Sequence, residues 1–187
     1  MSTNRPQGRT GSISNVVVGT VFASRRELAD SGIHRPLQAG ICGTAKLGAE
    51  SIVISGGYED DEDHGDKIIY TGAGGVDPNT RRQIANQTLT RTNLALSVNC
   101  RYGIPVRVIR GSRGDRHYSP PFGFRYDGLY WVLKFWPEVG RSGFTVYRFQ
   151  LESVESLSQI FTKIGKQGVP IKKSDRTRIQ SLLMERD

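Results

Sequence analysis

Six acids, Glu59, Asp60, Asp61, Glu62, Asp63 and Asp66, lie between Tyr58 and Tyr70, with a glycine pair beyond each tyrosine. The stretch reads SGGYEDDEDHGDKIIYTGAGG, Ser55 to Gly75, and holds six of the 18 acids in a chain with 26 lysines and arginines. Four chemistries compete for it. A calcium loop needs acids at its first, third and fifth positions and a late bidentate glutamate. Counted from Asp61, Gly65 takes the third ligand position and Gly72 the glutamate's, so the pattern fails. TGAGGVD resembles the opening of a phosphate-cradling G-x-G-x-x-G, but Asp77 stands where the last glycine belongs and no GK[ST] follows. A metal-dependent nuclease could use the 60–64 cluster, Asp60, Asp61, Asp63 and His64. Residues this close in sequence cannot all converge on one ion from a regular strand, and no catalytic lysine lies near.

The fourth chemistry is a pocket for a flat, polar, uncharged group. Two aromatic rings can stack on a planar ring. A carboxylate at its edge accepts from an exocyclic amine, as with cytosine, and glycine lets backbone N–H groups approach a carbonyl. A base extruded from a duplex needs that set, with a basic surface for phosphates. Alternatively, Tyr58 and Tyr70 are ordinary half-buried strand aromatics beside a solvated acidic loop. The residues alone leave these two readings level.

Composition supplies the basic surface. Net charge is +8, and 26 − 12 gives +14 once the six acids are set aside, which suits a polyanionic partner. No cysteine pair has zinc-site spacing, no metal or cofactor site is expected, and no run is long and apolar enough to span a membrane. The polar start MSTNRPQGRTGSISN has no signal-peptide core. The expected setting is thiol-reduced: cytoplasmic and nucleoid-associated in a bacterium, nuclear in a eukaryote.

The elements that must position these residues are short. SRRELADSG predicts a helix ended by Gly32, and GICG, SIVISGG, KIIYTG and IPVRVIRG predict strands. RQIANQTLTRTNLALSVN predicts a central helix with Ile84, Gln87, Thr88, Arg91, Ala95 and Val98 near one face. YSPPFGFRYDG reads as a loop, and LYWVLKFWPEVGRSGFTVYRFQL as two strands joined by a tight connection. Trp131, Phe135 and Trp136 are expected in the core. The fold class is mixed α/β (α+β), a curled sheet or barrel of mainly short antiparallel strands with a few helices. Residues 1–13 form a flexible lead, 14–153 the domain, and 154–187 a basic linker with a short helix on Ile179, Leu182 and Leu183.

Several stretches in order, HRPLQAGICG, SGGYEDDEDHGDKIIYTGAGG, NQTLTRTNLALSVNC, PVRVIRG and RYDGLYWVLKFWPEVGRSGFTVYRFQL, resemble the SRA (SET- and RING-associated, or YDG) domain family over roughly residues 15–152. The resemblance implies a crescent-like twisted β-barrel flanked by helices. It implies binding of double-stranded DNA that carries 5-methylcytosine, or in some members 5-hydroxymethylcytosine, with the modified base flipped into a pocket. By position it makes Tyr58 and Tyr70 the stacking rings and Asp61 the acid that reads the cytosine amine. It places Thr71, Ser55, Gly56 and Gly57 on the base's other polar atoms, Gly40 in the pocket wall and Ala73 near the 5-substituent. The other five acids receive no base contact.

Gln38 matches the residue that enters the gap left by the flipped base. VDPNTRRQIAN matches a finger that is longer and basic-tipped in members reading CpG sites; here it is a few residues shorter, with Asn79, Arg81 and Arg82. Strict CpG or hemimethyl discrimination is therefore not implied. Arg91, Arg101, Arg110, Arg113 and Arg116 are candidate phosphate contacts. Bacterial members are commonly followed by an HNH nuclease, and this chain has no H-N-H cluster. The expected role is the recognition half of a modification-dependent restriction endonuclease, without catalysis of its own. The alternatives are a free-standing reader or, less favoured, the 60–64 metal nuclease.

Overall fold

The computed structural model describes residues 10–156. The lead's first nine residues and the expected C-terminal helix lie outside the described residues. Eight strands form one sheet: β1 (Val21–Phe22), β2 (Ile41–Thr44), β3 (Gly48–Ile54), β4 (Glu62–Asp63), β5 (Lys67–Thr71), β6 (Val106–Gly111), β7 (Phe124–Val139) and β8 (Thr145–Ser153). Their order is β2-β3-β6-β7-β8-β5-β4, with β1 added against β7. β3 and β6 run parallel, and the other pairs are antiparallel. The path has two ends, β2 and β4, so backbone hydrogen bonds do not close it into the barrel the resemblance implied.

β3 is buried along its whole length because both its faces are covered, which suits its parallel pairing. Ile52 and Ile54 join Val106, Val108, Leu96 and Phe149 in one core, beneath helix α2 (Arg91–Tyr102). Val53 and Ile109, on the opposite face, pack with Phe22, Leu28 and Ile33 beside helix α1 (Arg25–Asp30). Ser24 caps α1, its side chain accepting from the Glu27 N–H.

Three expectations change. The central helix starts at Arg91 and runs to Tyr102, ended by Gly103 in the left-handed region at φ 59°. Ile84, Gln87 and Thr88 precede it, and its buried residues are Asn93, Ala95, Leu96, Ser97, Asn99 and Cys100. The side-chain amides before it bind other backbone, which competes with helix. Asn86 Oδ1 accepts from the Thr145 N–H at 2.8 Å, and Gln87 Oε1 from Tyr147 at 2.9 Å. Secondly, Tyr126–Asp127–Gly128 lies within β7, a 16-residue strand, because this end of β7 pairs with β6. Thirdly, Phe135 packs on the larger core, whereas Trp131 and Trp136 are only half-buried. Trp136 donates through Nε1 to Glu138.

Candidate functional site

The ends of β3 and β5, the loop before β4, the 35–40 loop and the segment after β5 surround a cavity of about 670 Å³. Tyr70, near the end of β5, lines it, 2% exposed, its hydroxyl donating to the Val53 carbonyl at 3.4 Å. A Cβ on Gly40 would come 2.8 Å from that hydroxyl, so Gly40 is what lets the ring seat there. Tyr58 lines the cavity too, its hydroxyl accepting from the Gly74 N–H at 3.1 Å.

Between them Asp61 is half-buried, with Oδ1 accepting from the Thr71 N–H at 2.8 Å. Burial pushes its carboxyl up to about 7, although the Thr71 hydrogen bond and the Arg148 charge pull the other way and Asp60 adds a smaller push upward. Asp61 is thus an acceptor poised between its two protonation states at neutral pH. Gln38, Ser55, Gly57, Ala73, Arg81 and Arg113 also line the cavity. Thr71 and Gly56 do not: Thr71 is buried and serves through its backbone, and Gly56, at φ +64°, packs on the Arg113 carbonyl. Asn79, Arg82 and Arg91 are exposed outside the lining.

The five remaining acids diverge from Asp61. Asp60 accepts from the Arg141 N–H at 2.9 Å, and Glu59 accepts from the Ser142 hydroxyl. Glu62 pairs with Arg148 at 2.7 Å and Asp63 with Arg110 at 2.7 Å; Asp66 accepts from Ser156. The acidic run therefore pins its loop to several parts of the sheet. Among the described residues no group of three or more His, Cys, Asp or Glu could hold a metal ion. His64 is exposed, and Gly65 turns the chain at φ +77°. Arg110, expected on a phosphate, is 3% exposed and committed to Asp63 and Asp127. Arg101 and Arg116 remain exposed.

The finger is a short hairpin closed by a Val76–Gln83 bridge, with Val76, Pro78 and Arg81 on the cavity. Buried amides fasten its base: Gln87 donates to the Gly72 carbonyl at 2.7 Å, and Asn93 bonds both the N–H and the carbonyl of Ala73. Sequence reasoning missed Arg25. Its Nη2 donates to the carbonyls of Gln38 at 2.8 Å and Ala39 at 2.7 Å, and its guanidinium lies over Phe124. His34 Nε2 also meets the Ala39 carbonyl, at 2.9 Å, and burial lowers its pKa to about 4, keeping it neutral. The Gln38 loop is thus held by two side chains. At the first turn of a helix Arg25 reads as solvated, so the sequence carried no signal for it.

Residues 9–156 match the SAD/SRA domain. The E3 ubiquitin-protein ligase UHRF1 of Danio rerio is 42% identical over 185 residues, 88% of this chain and 24% of that protein. The structure of the modification-dependent TagI restriction endonuclease superposes with a TM-score of 0.75 at 47% identity, covering 78% of this chain and 52% of that one. The SUVH5 SRA domain bound to fully hydroxymethylated CG DNA gives 0.66 at 41%, covering 78% and 93%. The chain spans about a quarter of the length of the curated UHRF1 relative.

Proposed function

The chain belongs to the SAD/SRA domain family, and on that premise we propose that it binds double-stranded DNA containing 5-methylcytosine or 5-hydroxymethylcytosine and flips the modified base into the cavity between Tyr58 and Tyr70. The observation that carries this reading is Asp61, a half-buried acceptor facing a cavity whose other walls include two tyrosines and whose rim carries Arg81 and Arg113. An amine at the edge of a planar base satisfies the carboxylate, the rings stack on the base faces, and the arginines meet phosphates. Unstacking costs a few kcal/mol by ordinary estimates, which pocket and groove contacts repay without catalysis. Gln38 fills the place the base leaves, its amide able to hydrogen-bond the orphan guanine. Ala73 lies beside the 5-substituent, small enough for a methyl or hydroxymethyl group.

In this role the chain acts as a recognition module. Its likeness to TagI, a restriction endonuclease, favours service beside a nuclease; its likeness to UHRF1 favours a reader in a larger protein of other chemistry. Anisotropy of labelled duplexes carrying cytosine, 5-methylcytosine or 5-hydroxymethylcytosine, in CpG and other contexts, tests the function. Tighter binding of a modified duplex is expected, and equal affinity for all three refutes the reading. Incubated with magnesium or manganese, this chain should leave methylated DNA intact. Cleavage lost on substituting Asp60 or Asp63 would restore the metal-nuclease alternative.

A further inference from the structure

The sheet ends at β4, a two-residue strand joined by backbone only to β5. Asp61 immediately precedes it. Across the gap from β4 to β6 the connection is made by side chains. Arg110 of β6 sends Nε to Asp63 Oδ2 and Nη2 to Asp63 Oδ1, each at 2.7 Å. Nη2 also donates to the Gly65 carbonyl at 2.7 Å. Nη1 donates to Asp127 Oδ2 at 2.7 Å and to the Tyr130 hydroxyl at 3.3 Å. All five guanidinium N–H donors therefore have acceptors, drawn from β4, the turn after it and β7. Tyr130 closes the ring by donating to the Gly65 carbonyl at 3.0 Å, and Arg125 braces Asp127 from outside.

We propose that Arg110, seated by Asp127, is a positioning residue that closes the sheet where its backbone ladder is missing and so holds Asp61 on the cavity. This rests on Asp61 being the base-reading acid. One residue separates Asp61 from Asp63, so the clamp on Asp63, together with the Thr71 N–H on Oδ1, limits where the Asp61 carboxylate can point. A buried ion cluster is a weak source of stability because desolvation offsets much of its attraction. A planar fork bound bidentately does impose one geometry, which an apolar contact would not. Glu62 on Arg148 and Asp61 on the Thr71 N–H tie this segment toward β5 and β8, and the Arg110 fork adds the contact that reaches across to β6 and β7.

Arg110→Lys keeps a charge and loses the fork. Anisotropy at fixed salt compares it with the unaltered chain on 5-methylcytosine and unmodified duplexes. The affinity ratio is expected to fall about tenfold, while affinity for the unmodified duplex changes less than about twofold because phosphate contacts remain. A merely structural loss lowers both affinities together and keeps the ratio, which would overturn the clamp. If Arg110→Lys does not fold, Tyr130→Phe removes one hydroxyl from the same ring; a fall of about threefold in the ratio is expected, and an unchanged ratio overturns the proposal. Absence of any preference in the unaltered chain refutes the proposed function and the clamp with it. A preference kept by both variants refutes the clamp alone.

Discussion

Asp61 carries a cost in the free protein that the proposed base contact would turn to use. Its carboxyl is raised to about 7, so the folded state binds a proton more tightly than the unfolded chain does. That stabilises the fold least at high pH: the penalty is absent below the ordinary carboxylate range, grows as pH rises, and is complete above about 7. Asp61→Asn should therefore raise the melting temperature at pH 8 and leave it nearly unchanged at pH 4, as thermal unfolding followed by circular dichroism would register. The ionised form accepts from a cytosine amine more strongly than the neutral acid, which keeps only its carbonyl oxygen as a good acceptor. The charged neighbours are Arg148, which favours that form, and Asp60, which opposes it. Lowering pH from 8 to 6 should reduce the modified-to-unmodified affinity ratio by at most about tenfold, through one proton taken up on Asp61. In Asp61→Asn that pH dependence should vanish. The residue pattern made this acid a candidate, but separating it from its five neighbours took the family resemblance. What the sequence could not supply was the partner of each of those neighbours, because Arg110, Arg141, Ser142, Arg148 and Ser156 lie far along the chain.

At the scale of elements, legibility followed local chemistry. Gly-bounded apolar runs became β2, β3 and β5 because strand and turn signals there agree. The central helix was misplaced at its start because Gln83, Asn86 and Gln87 spend their amides on distant backbone, a choice set by tertiary contacts. The expected segment stops at Asn99, and the helix runs on to Tyr102 before Gly103 ends it. The YDG segment lies in a strand because β6 pairs with it, and its proline-rich prelude hid this. Gln87 joins the finger's base to β8 by serving Gly72 and Tyr147. Gln87→Ala leaves both backbone groups without that partner in a buried place. It should cost roughly 1–3 kcal/mol in urea unfolding and lower selectivity for modified DNA.

Taken whole, the molecule separates two kinds of charge. Asp63 and Glu62 pair with Arg110 and Arg148 of the sheet, and Arg81 and Arg113 stay at the cavity rim. Under the proposed function, phosphate binding is sequence-independent and salt-sensitive, and modification is read in the pocket. Replacing Arg81 and Arg113 together with glutamine should weaken binding to modified and unmodified duplexes alike and reduce the slope of log affinity against log salt by about 2. The two functions should therefore come apart in a single substitution. The measurement is the ratio of affinities for 5-methylcytosine and unmodified duplexes, by anisotropy at one salt concentration, for the unaltered chain and for Asp61→Ala. The account predicts that the ratio collapses toward one in the variant while unmodified DNA is bound much as before. An unchanged ratio would contradict it.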